Sequence, residues 1–248
     1  VKEIDDDAVV LRTYKSGEAD RIAVLWTQRH GKLRVLAKGS RKTTSRLGGT
    51  LEPLAYVHVD LVASRGDLYI ARHVQHRERL SVLRGSYPRI NAGYAVVEVI
   101  EAIPSEHVAD EEIFDLLIRV LRTLDDERFD PTLVPASFYL KLLALDGSQP
   151  VFDSCVSCGV DGPLVAFDAS AGGTLCANCR SGRSMSPEAL TLMRRIVGGE
   201  LANVLRESSV SGEGEVCDLA HEAIEQHFAK RLKVVRASAP LRPSALER

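Results

Sequence analysis

The feature that most constrains this chain is a set of four cysteines. Two residues separate Cys155 from Cys158, two separate Cys176 from Cys179, and 17 lie between the two pairs. A Cys-x2-Cys pair on a tight turn brings two thiolates to one side of a Zn2+, and a second pair completes a closed tetrahedron. Gly159 and Gly172-Gly173 supply the backbone freedom that such turns need. Four thiolates leave no open coordination position, so the expectation is one structural Zn2+ rather than a catalytic metal. Metal binding of this kind contributes on the order of 10 kcal/mol to folding. Cys217, the fifth cysteine, falls on an apolar helix face and reads as core.

The region before the cysteines divides in two. Val9–Tyr14, Ile22–Thr27, Leu33–Lys38, Ala55–Val62 and Leu68–Val74 are rich in Val, Ile, Leu and Tyr, with turn residues between them. Alternation points Leu33, Val35 and Ala37 inward and Arg34 and Lys38 outward. Five short strands in about 75 residues suit a small closed barrel, of which the OB-fold is the common five-stranded form. Periodicity gives their number and not their topology.

Helical spacing takes over after Pro88, with Ile90, Tyr94, Val97 and Ile100 on one stripe, then Ile113 to Leu124, then Ala136 to Leu145. Asp110, Glu111 and Glu112 open the second of these helices and Arg119 and Arg122 lie toward its end, which complements the helix dipole. After the cysteines, Ser186-Pro187-Glu188 starts a helix that stops near Gly198-Gly199. A last helix carries Val216, Leu219, Ala223, Ile224, Phe228, Leu232 and Val235. The expected fold class is α+β: an N-terminal OB-fold barrel over 1–80, then an α-helical domain over 81–248 with the four-cysteine module at 151–182 inserted in it. The 248 residues, 45% of them apolar, suffice for two cores. No apolar run is long enough for a membrane span. The first 25 residues hold Lys2, Glu3, Asp5, Asp6 and Asp7 without a signal-peptide core, so a cytoplasmic location with reduced cysteines is expected.

The net charge of −2 conceals a segregation. From Arg21 to Leu51 there are eight cations and no acid: Arg21, Arg29, Lys32, Arg34, Lys38, Arg41, Lys42 and Arg46. The remainder holds 24 basic against 34 acidic residues. A solvated face mixes signs, whereas an acid-free cationic loop on a small barrel can follow a phosphate backbone. Tyr14, Trp26, Tyr56 and Tyr69 are candidate base-stacking residues, although most aromatics on short strands pack in the core. Arg72, Arg77, Arg79, Arg84 and Arg89 form a second basic stretch, and Lys230, Arg231, Lys233 and Arg236 a third. A protein-interaction surface and an RNA-binding role remain open for these features.

Enzymatic signatures are weak. His76-Arg77-Glu78 upstream of a Cys-x2-Cys imitates a zinc deaminase, but the second cysteine pair already fills the coordination sphere. His221-Glu222 imitates a zinc-protease helix, yet Glu225 stands where the second His belongs. No catalytic residue is assigned.

The chain resembles the bacterial RecO recombination mediators. The resemblance is carried by Leu11–Ile22, by His30–Lys42, by Leu51-Glu52-Pro53-Leu54, by the four cysteines and by His227–Lys233, and it runs from about residue 8 to 236. Leu54 stands where many members have Phe, and the acidic Asp5-Asp6-Asp7 is not part of the motif. The resemblance implies a non-enzymatic protein that binds single- and double-stranded DNA and anneals complementary strands. It also implies RecR and in some cases RecF as partners in loading RecA onto DNA coated by single-strand-binding protein. The acidic C-terminal tail of that coating protein is a further implied ligand, near Lys230 to Arg236.

Overall fold

The computed structural model describes residues 3–42, 45, 47–64, 66–104, 108–207 and 209–233. They form two compact units that divide between residues 127 and 128. The first contains β1 (Glu3–Ser16), β2 (Asp20–Thr27), β3 (Gly31–Ala37), β4 (Tyr56–Ala63) and β5 (Leu68–Glu78), then α1 (Ser81–Gly85), α2 (Tyr87–Ala102) and α3 (Glu111–Leu124). The strands close in the order β1-β2-β3-β5-β4 and back to β1, with β3 and β5 parallel and every other pair antiparallel. This is the OB-fold barrel expected from the strand count.

Closure depends on β1, which pairs with β4 from Glu3 to Val9 and with β2 from Ala8 to Ser16. A bulge between Val10 and Arg12 bends the strand where it passes from one partner to the other. Period-two alternation fills the interior with Ile4, Ala8 and Val10 of β1, with Leu33, Val35 and Ala37 of β3, and with Val57, Val59 and Leu61 of β4. Leu51, from the connection between β3 and β4, joins the same core.

Alternation also splits the acidic start of β1. Asp6 has the parity of Ile4 and Ala8 and is 1% exposed. Its carboxylate accepts from the backbone N–H of Arg29 at 2.9 Å and from Arg29 Nε at 3.2 Å, and lies 2.7 Å from His30 Nδ1. Asp7, on the other face, meets Arg77 Nε at 2.7 Å and His58 Nδ1 at 2.8 Å. Partial burial raises the Asp7 pKa, but the hydrogen bonds from His58 and Arg77 outweigh it and hold it below the usual carboxylate value. The acidic triplet is therefore part of the barrel's internal bonding. Gly31 completes the β2–β3 turn at φ +65°, where a Cβ would lie 2.3 Å from the Val108 carbonyl oxygen.

One expectation for the helices of this unit is corrected. The buried face of α2 is Arg89, Ala92, Gly93, Val96, Val97, Val99 and Ile100, so Val97 and Ile100 of the expected stripe are packed while Tyr94 is exposed. The packed side includes Gly93, which lies against Leu54, where a Cβ would come within 2.8 Å of Leu54 Cδ1. Leu54 itself is buried with φ +67°. Asp110, expected only to complement the helix dipole, also caps α3 by accepting from the Ile113 N–H.

The second unit contains α4 (Val134–Leu145), β6 (Leu164–Asp168), β7 (Gly173–Cys176), β8 (Arg183–Ser184), α5 (Pro187–Val197), α6 (Leu201–Val204) and α7 (Glu213–Phe228). The strands form one sheet in the order β7-β6-β8, and α7 packs on α4 and α5. Ser186 caps α5 and in turn donates its Oγ to Glu215 of α7 at 2.6 Å. The α7 helix ends earlier than its apolar stripe suggests. Ala229 adopts φ +47° and Lys230 N–H donates to Glu225 O, so Leu232 lies beyond the helix; Val235 falls outside the described residues. No described helix is long and apolar enough to cross a membrane.

Replacing Asp6 with Ala leaves the Arg29 amide and the His30 ring without their acceptor at a buried position. The expected loss is about 2–4 kcal/mol, read as a lower urea midpoint with an unchanged slope.

Candidate metal centre and nucleic-acid interface

The four cysteine sulfurs lie within 4.8 Å of one another, and Cys158 and Cys176 are 3.7 Å apart across the two turns. A tetrahedral ion with metal–sulfur bonds of about 2.3 Å requires sulfurs about 3.8 Å apart. The donor set therefore fits a single tetrahedral ion. Among the described residues it is the one such grouping of His, Cys, Asp or Glu; His221 instead lies 3.3 Å from Glu225.

Local backbone bonding builds this geometry. In the first turn, Gly159 N–H donates to Cys155 O at 2.8 Å with Gly159 at φ +77°. In the second, Cys179 N–H donates to Cys176 O at 3.2 Å. The buried Thr174 of β7 ties them together, its Oγ1 donating to the carbonyls of Val151 and Ser154. Backbone N–H groups of Cys176, Cys158 and Ser157 bring the Cys155 thiol down to about 6. The Val160 backbone works in the same direction at Cys158, but the neighbouring thiols of Cys155, Cys179 and Cys176 push it up to about 12. Cys217 is not part of the set: it is half-buried, donates weakly to Thr132 O, and burial raises its thiol to about 12.

The cationic run of the barrel separates into two groups. Arg21 pairs with Glu52 at 2.7 Å, Arg29 with Asp6, and Lys32 Nζ donates to the α2 carbonyls of Glu101 at 2.8 Å and Ile103 at 2.5 Å. These three are tied to the barrel's own bonding. Lys38 and Lys42 are exposed, and no carboxylate pairs with either among the described residues. Arg41 is exposed and donates to the carbonyls of Gly17 and Glu18. Arg34 points outward from β3 and donates Nη2 to the Tyr14 hydroxyl at 2.8 Å. Arg46 lies outside the described residues. Arg12, which precedes the acid-free run and was not a sequence candidate, places its guanidinium 5.6 Å from the Tyr14 ring centroid and pairs with Glu101. Its register partner Val24 is itself paired with Arg34, which could not be known before the β1 bulge was located.

The stacking candidates reduce to Tyr14. Trp26 is fully buried and Tyr69 is 7% exposed, so both are packed residues. Tyr56 packs edge-on against Phe114 and bonds Asp7. The second basic stretch is also reduced. Arg72 pairs with Glu3 and Arg77 with Asp7, while buried Arg89 donates to the carbonyls of Leu124 and Asp126. Of the third group, Lys230, Arg231 and Lys233 are exposed beyond the end of α7, and Arg236 lies outside the described residues.

Two family models match the chain, Recombination protein O N terminal over residues 1–78 and Recombination protein O C terminal over 84–236. The chain belongs to the RecO family. The DNA repair protein RecO of Streptomyces griseus is 37% identical over 208 residues, covering 79% of this chain and 83% of that protein. The DNA repair protein RecO of Thermobifida fusca is 39% identical over 198 residues, covering 79% and 82%. For this RecO-family chain, Cys158→Ser, at an exposed cysteine, is expected to lower bound metal from one equivalent and to lower the melting temperature. Elemental analysis with thermal melts, before and after a chelator, checks both.

Proposed function

We propose that the chain is a DNA-binding recombination mediator in DNA repair, acting through binding and not through a catalytic side chain. In this reading it binds single- and double-stranded DNA and anneals complementary strands. With RecR, and RecF where that takes part, it helps load RecA onto DNA coated by single-strand-binding protein. The observation that carries the reading is the outer edge of an OB barrel in a RecO-family chain, where Lys38, Arg41 and Lys42 are exposed and Arg34 holds Tyr14.

The chemistry required is charge neutralisation. Two polyanionic strands approach only when cations replace part of their counterion atmosphere, and an aromatic face holds an unpaired base without regard to its identity. The barrel over 1–80 is the part proposed to meet DNA, with Arg34, Lys38, Arg41 and Lys42 against phosphates and Arg46 beside them. Arg21, Arg29 and Lys32, also within the cationic run, are engaged in the barrel's own bonding. The helical remainder is proposed to hold one structural Zn2+ on Cys155, Cys158, Cys176 and Cys179, the ion that a closed four-thiolate set favours. Lys230, Arg231, Lys233 and Arg236 are proposed to meet DNA or the acidic tail of single-strand-binding protein. The place of action is the cytoplasm, at the nucleoid.

The test is annealing of complementary oligonucleotides coated by single-strand-binding protein. Wild type is expected to accelerate it. The Lys38→Ala, Arg41→Ala, Lys42→Ala triple variant is expected to bind single strands more weakly, with a log–log salt slope shallower by about 2. An unchanged slope and affinity would place these cations at a protein interface and would overturn the reading of this edge. Tyr14→Phe keeps the ring and is expected to retain affinity, whereas Tyr14→Ala is expected to lose roughly tenfold on single strands in a filter or anisotropy titration.

A further inference from the structure

We propose that the barrel unit carries a second patch for single-stranded DNA, formed by Arg79, Arg84 and the exposed ring of Tyr87. It rests on the DNA-binding reading above and adds a second strand to it.

Five arginines follow one another from β5 into α2, and the fold sorts them. Arg72 and Arg77 are paired with Glu3 and Asp7, and Arg89 is buried against backbone carbonyls. Arg79 and Arg84 have no carboxylate at salt-bridge distance among the described residues. Arg79 is exposed, and Arg84 donates to the Pro53 carbonyl at 3.4 Å. The carboxylates nearby in the chain are taken elsewhere: Glu78 by Arg122 at 2.5 Å and Glu52 by Arg21 at 2.7 Å. His76 lies close enough to feel both guanidiniums. Burial, and then the charges of Arg84 and Arg79, hold its pKa below the usual value. Like charges gathered without counter-charge are what an anionic ligand offsets.

Tyr87 supplies the second half of the argument. It is the first residue of α2, three positions beyond Arg84, and is 80% exposed. An exposed aromatic face three residues along the chain from a guanidinium suits a ligand with both phosphates and uncovered base faces. A single strand has both, whereas a duplex shows a protein mainly its phosphates and groove edges.

Position makes the patch useful. His76 interacts with the Gly49 backbone and Arg84 with the Pro53 carbonyl, both on the connection between β3 and β4. The start of that connection carries Lys38, Arg41 and Lys42. One connection thus links two cationic groups, the arrangement that holding two strands on one barrel requires.

The experiment uses the full chain with Arg79→Glu/Arg84→Gln, Tyr87→Ala and Tyr87→Phe, each confirmed folded by an unchanged thermal melt. Probes are a fluorescent oligothymidine long enough to span both patches, a duplex of equal length, and a complementary pair for annealing. For the arginine variant, the salt slope on oligothymidine is expected to become shallower by about 1.4 and annealing to slow. Tyr87→Ala is expected to lose roughly tenfold on oligothymidine and little on duplex, with Tyr87→Phe near wild type. Unchanged slope, affinity and annealing, in a wild type that does bind and anneal, would overturn this proposal alone. So would a loss through Tyr87→Ala that is equal on duplex. A wild type that binds no DNA would overturn the functional reading itself.

Discussion

A five-stranded barrel closes only when every strand finds a partner along both its edges, and here β1 finds its two partners with different halves of its length. Its first half serves β4, its second half serves β2, and the bulge at Leu11 turns it between the two. The side chains follow from that geometry. Because β1 alternates, one aspartate of three consecutive ones turns inward to hold the β2–β3 turn while its neighbours face His58 and Arg77. A charge imbalance along the chain thereby becomes charge pairing in space. At the β3 end, the exposed Lys38 and Lys42 are left without a carboxylate partner among the described residues.

The cysteine module obeys a different logic. Its ligands, its hairpin and the Thr174 bonds all lie within about thirty consecutive residues, so its geometry is set locally. Four sulfurs held within 4.8 Å of one another are the donor set that a single tetrahedral ion joins. A metal in such a site acts on the fold around it and has no open face for a substrate.

What the sequence reveals tracks this distinction between local and distant causes. The four cysteines, the Ser186 cap and the inward parity of Leu33, Val35 and Ala37 all follow from local pattern, and the structure agrees with them. The fate of individual cations was not legible, because Arg21, Arg29, Lys32, Arg77 and Arg89 find partners 23 to 71 residues away. Nor was the burial of Trp26 and Tyr69, since a pleated strand shows which residues share a face and not what covers it. Arg12 was missed for the same reason: its place beside Tyr14 and Arg34 depends on a one-residue bulge.

The parallel pairing of β3 with β5 has a consequence for how this surface can change. With β4 between β5 and β1, the chain leaving β3 must cross one end of the barrel before β4 can begin, and it lowers Leu51 into the interior on the way. The segment bearing Lys38, Arg41 and Lys42 is therefore a structural span and not an appended arm. Divergence can rewrite its charges freely, whereas any change of its length must still leave chain enough to cross the barrel end and to seat Leu51 in the core. Charge and anchorage are thus carried by different residues of one connection, and affinity can be altered by substitution without touching the residue that fixes the span.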